Sequence, residues 1–405
     1  MRQLLFPGNA QFWFETLRMF GAVAYGGADF GEVLTTSDRI VEGDYESWYA
    51  EWSATADRVA AEGERSLKGG HRVSARDAFL RASNYYRSAE FFLHSSTPDP
   101  RHEHTYARSV ECFRAAAQLF DPVVQPVEIP YEGTTLSGYF YRADHSGTPR
   151  PTLIMHSGFD GSAEEMHFSG PVAAVERGYN ALVFDGPGMS AAIHTKGLPF
   201  RADWEHVVGP VVDFAQSLPE VDNDRIALLG VSLGGLLAPR AAAFEHRLAA
   251  VVAIDGVYDA RVAFLAGMTD EESVRRLRAE SDPELDQRLA AAMATSETMR
   301  WALNHGMYVT GTKSPRAFMA SMLDYHLGDG VAERIQCPTL VCKAEDDLFF
   351  TGQPEALYDH LTSPKTLLEF TAEEGADAHC HVGAQRLAMA RVCDWLDDKL
   401  AVAAG

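Results

Sequence analysis

The sequence predicts an α/β fold in which a mostly parallel sheet is flanked by helices and preceded by a long helical segment. After residue 121, short apolar runs alternate with helical patterns, as in sheets whose parallel strands are joined by helices. Before that point the apolar spacing is helical. The chain of 405 residues fits one large domain with an addition. We therefore divide it into a helical, cap-like domain (1–121) and a sheet-containing domain (122–405).

The first part of the chain carries the helical pattern. Apolar and aromatic residues recur every three or four positions between 75 and 93, and Ser74 is the expected N-cap. Aromatic stripes of this kind usually pack between helices. Trp48, Tyr85 and Tyr86 are nevertheless candidates to line a substrate pocket.

Eight runs in the second part are predicted strands. They are 127–131, 136–141, 152–155, 181–184, 226–229, 250–254, 339–342 and 366–370. The segment EGTT between the first two predicts a hairpin, and the later runs are continuous and apolar, as in parallel strands covered on both faces. Residues 258–330 are alanine-rich, helical in pattern and too long for a loop, which predicts a helical lid inserted over one end of the sheet.

The most specific motif is GVSLG at 230–234. It follows a predicted strand and precedes a helical run, which is the context in which GxSxG carries meaning. The serine needs a tight turn to project its oxygen above the sheet, and side chains at the two glycines would collide with neighbouring backbone. The dipole of the following helix favours negative charge at the reacting centre. Ser232 is therefore the predicted nucleophile.

A serine nucleophile needs a base that is held by an acid, and in this architecture the chain order is serine, acid, histidine. The segment KAEDDL at 343–348 follows a predicted strand, so Asp346 and Asp347 both qualify as the acid. The segment EGADAHCH after the last strand offers His379 and His381 as the base. The residues alone leave both choices open.

Two backbone N–H donors should stabilise the oxyanion. One is expected from Leu233, directly after the nucleophile. The other should come from the loop HSGFDG at 156–161, where Phe159 is the first choice and Gly158 the second, while His156 is expected to shape the loop.

The loops at the same edge of the sheet supply candidates for the substrate pocket. Gly158 and Asp160 lie in the loop after 152–155, and Asp255 and Tyr258 follow the predicted strand that precedes the lid.

Composition excludes several classes of protein. The 57 acidic and 35 basic side chains give a formal charge of −22, which argues against nucleic acid and anionic membranes as partners. No apolar run approaches the ~18–20 residues of a membrane-spanning helix. The five cysteines are scattered without metal-ligand spacing. They favour free thiols in a reducing cytoplasm, and we expect neither a metal nor a cofactor.

About residues 122–400 resemble the α/β-hydrolase superfamily, through HSGFDG, FDGPG, GVSLGG and the acid and histidine segments. The segments YGGAD, RASNYYR and FTAEEGADAHC are similar to the group that contains 2,6-dihydroxypseudooxynicotine hydrolase, fungal polyketide-shortening hydrolases and fermentation-respiration switch esterases. In such relatives the acid is the Asp of an A-E-x-D pattern, and the histidine directly precedes a cysteine. The resemblance implies Asp347 and His379 as the partners of Ser232.

The chain departs from the family pattern at three places. Ala344 replaces the glycine before the acid, Ser157 interrupts a His-Gly-Gly segment, and Met189 replaces the glutamine of a Gly-Gln-Gly turn. None of these changes removes a triad residue, and Asp346 and His381 stay as fallbacks. They bear on substrate preference and on the shape of the oxyanion loop.

The resemblance implies hydrolysis of a small carbonyl compound in a pocket between the core and the helical additions. Some members of the group cleave carbon–carbon bonds next to a ketone, and others cleave esters. The chain is therefore expected to be either a C–C bond hydrolase or a carboxylesterase. The alternatives are an amidase or aminopeptidase-like hydrolase, a non-hydrolytic biosynthetic enzyme, and a catalytically inactive binding module on the same fold. A small molecule is the expected partner, and the exposed helices favour a homodimer.

Overall fold

The computed structural model describes residues 3–96, 98–265 and 267–400. Its described N-terminal part is helical, with 3-10 turns at Val23–Tyr25 and Phe91–Ser95. The helices are α1 (Ala10–Ala22), α2 (Phe30–Ser37), α3 (Tyr45–Lys68), α4 (Arg72–Glu90) and α5 (Arg101–Ala117). The prediction of Ser74 as N-cap is wrong. Helix α4 already begins at Arg72, because the chain reverses at Gly70 (φ 80°). Among the described residues, no helix is both long and apolar enough to cross a membrane.

An aromatic cluster holds these helices together. The Trp48 ring lies 4.8 Å from that of Phe12 and 5.0 Å from that of Phe92, and its indole N–H donates to the Ser88 carbonyl at 2.8 Å. Tyr85 is fully buried, and Tyr86 nearly so. The expectation that Trp48, Tyr85 and Tyr86 line a pocket is therefore wrong, because all three side chains are used inside the helical core.

The two tyrosine hydroxyls have carboxylate partners on neighbouring helices, at the margin of this core. Tyr85 donates to Glu32 at 2.8 Å, and Tyr86 donates to Asp57. Buried hydroxyls need such acceptors, so these contacts fix both rings away from the sheet edge.

The described residues form an eight-stranded sheet with the order β1-β2-β4-β3-β5-β6-β7-β8. The strands are β1 (Gln125–Tyr131), β2 (Thr134–Tyr141), β3 (Arg150–His156), β4 (Asn180–Phe184), β5 (Val221–Val231), β6 (Ala250–Ile254), β7 (Thr339–Ala344) and β8 (Lys365–Phe370). Strand β2 is antiparallel to both of its neighbours, and the other pairs are parallel. Glu132 and Gly133 both have positive φ, as a two-residue hairpin turn requires. All eight predicted strands and the hairpin are confirmed.

Helices cover both faces of this sheet. They are α6 (Ala163–Met166), α7 (Pro171–Glu176), α8 (Ser190–Lys196), α9 (Glu205–Gln216), α10 (Gly234–Ala242), α16 (Gln353–His360) and α17 (Gln385–Leu400). Every residue of β4 and of β6 is buried, which explains why these strands are continuously apolar.

The segment between β6 and β7 is helical in its described residues. It contains α11 (Arg261–Phe264), α12 (Glu271–Arg278), α13 (Pro283–Thr295), α14 (Glu297–Thr310) and α15 (Pro315–Ser321). Trp301 of α14 stacks on Phe91 with ring centroids 4.6 Å apart and donates its N–H to the Phe91 carbonyl at 2.8 Å. The inserted helices, which we call the lid, therefore contact the N-terminal helices directly above the sheet edge.

Candidate active site

The turn that carries Ser232 is tight and strained. Ser232 has a φ of 62°, a region that non-glycine residues rarely occupy outside functional turns. The turn is closed by a hydrogen bond from the Gly235 N–H to the Ser232 carbonyl at 2.7 Å. A Cβ on Gly230 would lie 2.0 Å from the Gly234 carbonyl oxygen. A side chain at position 230 is therefore excluded, and the serine side chain is held above the sheet edge.

The serine, a histidine and an aspartate form a continuous hydrogen-bonded path. Ser232 Oγ donates to His379 Nε2 at 2.8 Å, and His379 Nδ1 donates to Asp347 Oδ2 at 2.9 Å. The other oxygen of Asp347 accepts the N–H groups of Phe349 and Phe350 at 2.7 and 3.0 Å. These bonds fix the carboxylate, and the carboxylate fixes the tautomer that leaves Nε2 free to accept the serine proton.

The two alternatives from the sequence lie elsewhere. Asp346 is exposed, and its backbone N–H donates to the Asp377 carbonyl. His381 is fully buried, stacks on Phe370 at 3.9 Å and uses Nδ1 on the Ala376 carbonyl. The geometry therefore places His379 next to the serine and Asp347 next to His379, and it places Asp346 and His381 elsewhere.

A second carboxylate contacts the same imidazole. Asp255 follows β6 with a φ of 56° and is fully buried, and its Oδ2 lies 2.9 Å from His379 Nδ1. The same oxygen accepts the backbone N–H of Cys380. The sequence placed Asp255 only among pocket candidates, because a residue count after a strand does not show which way a positive-φ residue turns its side chain.

The two carboxylates change the proton affinity of the histidine. Burial opposes a charge on His379, but Cys380, Asp255 and Asp347 together outweigh burial and hold the pKa of the imidazole well above its usual value. Burial also raises the pKa of the adjacent Cys380 thiol. Asp255, His379 and Cys380 lie close enough to bind a metal, but Oδ2 of Asp255 already accepts two N–H groups, so we assign it to the histidine.

The oxyanion loop is packed against the serine turn. A Cβ on Gly158 would lie 2.7 Å from the backbone nitrogen of Leu233, so only glycine fits there. Below the loop, His156 accepts from the Trp204 indole at 3.3 Å and donates from Nδ1 to the Ser157 carbonyl at 2.9 Å. Burial lowers the pKa of His156 to about 4, so it is a neutral support of the loop.

A lid residue that the sequence analysis did not identify holds the loop from above. His305 of α14 donates from Nε2 to the Phe159 carbonyl at 2.9 Å. The two residues lie 146 positions apart, and His305 sits in no recognisable motif, so no local signal predicts this contact.

The serine opens into a cavity of about 570 Å³ between the sheet edge, the N-terminal helices and the lid. Its walls are largely apolar and include the aromatic side chains of Phe14, Phe91, Phe159, Phe264, Trp301 and Phe349. Gly158 and Asp160, two of the pocket candidates from the sequence, line it, and so does Leu233, the predicted oxyanion donor. The pocket expectation is wrong for Tyr258, which instead stacks on His360 of α16 at 4.3 Å.

A buried charge cluster forms one wall of the cavity. Glu15, Arg18, Asp160 and Glu165 all line it. Arg18 pairs with Glu165 at 2.6 Å and with Asp160 at 3.2 Å, and Arg87 pairs with Glu165 at 3.0 Å. Three carboxylates thus share two guanidinium groups, which leaves one excess negative charge in a buried site.

Glu15 is a member of this cluster whose pKa is raised. Its carboxyl is 3% exposed and lies 3.4 Å from Arg87 and 3.5 Å from Arg18. Burial raises the pKa of Glu15 to about 7, and the two arginines only partly oppose the shift. The sequence analysis missed this residue, because a single glutamate in an amphipathic helix carries no motif.

Comparison with known proteins agrees with this fold and with hydrolysis. Residues 35–346 match the model of the family described as FrsA-like esterases. The chain belongs to the FrsA-like esterase family. The hydrolase acrC of Aspergillus aculeatus is 35% identical over 422 residues, covering 97% of each chain. The 20-hydroxy-prefusarin hydrolase FUS2 of Gibberella moniliformis is 35% identical over 406 residues, covering 96% of this chain and 97% of its own.

Solved structures carry the same architecture. The 2,6-dihydroxy-pseudo-oxynicotine hydrolase superposes with a TM-score of 0.73 at 23% identity, covering 94% of this chain and 95% of that one. AbyA5 superposes with a TM-score of 0.60 at 20% identity. This FrsA-like protein is thus a hydrolase with the α/β-hydrolase fold, as the sequence resemblance implied.

The choice between the two neighbouring aspartates can be tested directly. Asp347→Asn removes the carboxylate charge beside His379 Nδ1. This change should lower kcat on an ester substrate on the order of 10²–10⁴-fold. Asp346→Asn, the matched control one residue away, should keep kcat within about twofold, as surface substitutions away from a site usually do. Equal losses in the two variants would contradict the assignment of Asp347.

The second carboxylate predicts a shift in the pH profile. His379 must be neutral to accept the serine proton, so kcat/KM rises as pH rises through its pKa. Because Asp255 stabilises the protonated imidazole, Asp255→Asn should move this acidic limb to lower pH. Asp259→Asn, whose carboxylate pairs with Arg261 at 2.6 Å, should leave the limb in place. An unchanged limb in Asp255→Asn would refute a role for Asp255 in setting the pKa.

Proposed function

We propose that this FrsA-like protein is a serine hydrolase that cleaves a carbonyl-containing organic molecule. Ser232 is the nucleophile, His379 the general base and Asp347 the acid that orients it. The observation that carries the proposal is the unbroken path of hydrogen bonds of 2.8 and 2.9 Å through these residues, at the wall of a cavity large enough for a small-molecule substrate.

The reaction follows from this geometry. His379 takes the proton of Ser232 as the oxygen attacks the carbonyl carbon, and the resulting oxyanion lies at the N-terminus of α10. The N–H groups of Leu233 and Phe159 are the proposed donors to that oxyanion. The protonated His379, stabilised by Asp347 and Asp255, then returns its proton as the leaving group departs. A water molecule then attacks the acyl carbonyl while His379 takes its proton, and His379 returns that proton to Ser232 as the acyl group is released.

The walls of the cavity point to an apolar, largely uncharged substrate. Aromatic rings surround the serine, and Arg18, which lines the cavity, is neutralised by Glu165 and Asp160. A net charge of −22 further disfavours polyanions. The relative named for 20-hydroxy-prefusarin supports a medium-sized carbonyl compound as substrate for this chain as well.

The nucleophile assignment is tested with short p-nitrophenyl esters and a fluorophosphonate probe. The wild-type protein should hydrolyse the esters and become labelled. Ser232→Ala should lose both properties, because removal of a triad member leaves only the residual catalysis of binding and the oxyanion hole. Full turnover in Ser232→Ala would overturn the nucleophile, and a folded wild-type protein that resists the probe would favour the binding-module alternative.

Glu15 favours cleavage of a C–C bond next to a ketone over simple ester hydrolysis. When such a bond breaks, the electron pair stays on carbon as an enolate, which needs a proton as it leaves. A carboxylic acid with a pKa of about 7 in the cavity wall can donate that proton at neutral pH. A phenolate leaving group has no such need. We therefore propose Glu15 as the proton donor to the leaving carbon.

This proposal predicts a selective effect of Glu15→Gln. With 1-phenylbutane-1,3-dione, hydrolysis adds water across the C–C bond to give benzoic acid and acetone. The variant should lose roughly 10²–10⁴-fold in kcat on this diketone, the usual range for general-acid catalysis. Its kcat on p-nitrophenyl acetate should be unchanged.

The two substrates separate the outcomes. Equal losses on the diketone and the ester would assign Glu15 a structural role and contradict the donor proposal. Wild-type cleavage of the ester alone would make the protein a carboxylesterase while leaving the Ser232 assignment intact.

A further inference from the structure

A cluster of four histidines lies outside the catalytic site, where the N-terminal helices, the sheet domain and the lid meet. The His94 ring is stacked at 4.2 Å on that of His102 and lies 4.5 Å edge-to-face from that of His305. His194 of α8 lies 6.3 Å from His94. Glu90, at the end of α4, faces two of these rings. The mechanism proposed above uses none of these five side chains as an acid, base or nucleophile.

Three ligand atoms in this cluster converge on one point. Glu90 Oε1 lies 2.6 Å from His94 Nε2 and 3.6 Å from His194 Nε2, and all three atoms lie within 4.8 Å of one another. Tetrahedral zinc, with bonds of about 2.0–2.1 Å, requires ligand atoms about 3.3–3.5 Å apart. Shifts of the order of 1 Å in the three side chains would therefore complete a ligand set.

The surroundings match those of a metal site. Metal-ligating histidines generally bond their second ring nitrogen to a fixed group, and His194 Nδ1 contacts the Tyr308 hydroxyl at 2.9 Å. The Glu90 side chain keeps 15% exposure, which leaves an entry path for an ion.

Two ring nitrogens of the histidine cluster lack a hydrogen-bond partner. Among the described residues, His94 Nδ1 and His102 Nε2 are buried without a hydrogen-bond partner. Buried polar atoms of this kind are rare, since each costs about 1–3 kcal/mol when unsatisfied. A water bound to such an ion would give His102 Nε2 the hydrogen-bond partner that the protein does not supply, whereas His94 Nδ1 lies on the other side of its ring from the Nε2 that faces Glu90.

We propose that Glu90, His94 and His194 bind a divalent transition metal ion, with Zn²⁺ as the best match. Two imidazoles and one carboxylate are a frequent protein ligand set for zinc, with water in the fourth position. The ion ties α4 of the N-terminal helices to α8 of the sheet domain. The sequence expectation of no metal rested on the absence of short ligand motifs. Here two ligands share one helical turn, and the third comes from a distant element.

The test is zinc binding to the full-length protein after dialysis against EDTA, measured by calorimetric titration in competition with a chelator. One tight site per chain is expected, and Co²⁺ should show the visible absorption of four-coordinate cobalt. His194→Gln and Glu90→Gln should each weaken binding more than about a hundredfold. Tyr308→Phe, which removes only the group behind His194, should weaken it by about tenfold.

Two controls locate the ion. His379→Gln removes the other histidine group that approaches metal spacing, and His246→Gln removes a histidine remote from both. Both variants should bind zinc as the wild type does. Zinc should also raise the melting temperature of the wild type and not that of His194→Gln.

Three results would overturn the proposal. They are the absence of stoichiometric zinc in the wild type, unchanged affinity in both His194→Gln and Glu90→Gln, and loss of the site in His379→Gln alone. Wild-type binding and Glu90→Gln, which preserves the shape of the side chain, decide the question even if His194→Gln fails to fold.

Discussion

The proposed active site depends on one buried N–H group, that of His379 Nδ1. It must point at a carboxylate so that Nε2 can accept the serine proton, and the structure supplies two carboxylates, Asp347 and Asp255, each at 2.9 Å. They come from the ends of β7 and β6, while Ser232 and His379 follow β5 and β8. Four adjacent strands therefore converge on a single imidazole, and the strand order of the sheet is what makes the site possible.

The same electrostatic logic extends into the cavity wall. A protein with a net charge of −22 nevertheless buries arginines, and each is used to hold carboxylates in place. Arg18 and Arg87 pair with Asp160 and Glu165, and burial raises the pKa of Glu15 to about 7. Buried charges are tolerated only when they are paired, and here the unequal count of acids and bases sets the protonation state of one group.

Sequence reasoning succeeded where the signal was local. The apolar runs revealed the strands, and the strand–turn–helix context placed Ser232 on its turn. It failed where the answer depended on side-chain direction or on distant contacts. Trp48, Tyr85 and Tyr86 had the periodicity of a helical core and lie in one, so the error was the expectation that they line a pocket. The second carboxylate, Asp255, and the lid residue His305 belong to no motif. Their roles arise only when the chain is folded and separate elements meet.

The lid contact has a consequence for turnover. The oxyanion loop is held from below by Gly158 against Leu233 and by the neutral His156, and from above by His305 on the Phe159 carbonyl. Stabilisation of an oxyanion requires donors that are already in place. A displacement of α14 that broke the His305 hydrogen bond would release the upper support of the loop. The lid and the proposed oxyanion hole are therefore coupled through this one hydrogen bond.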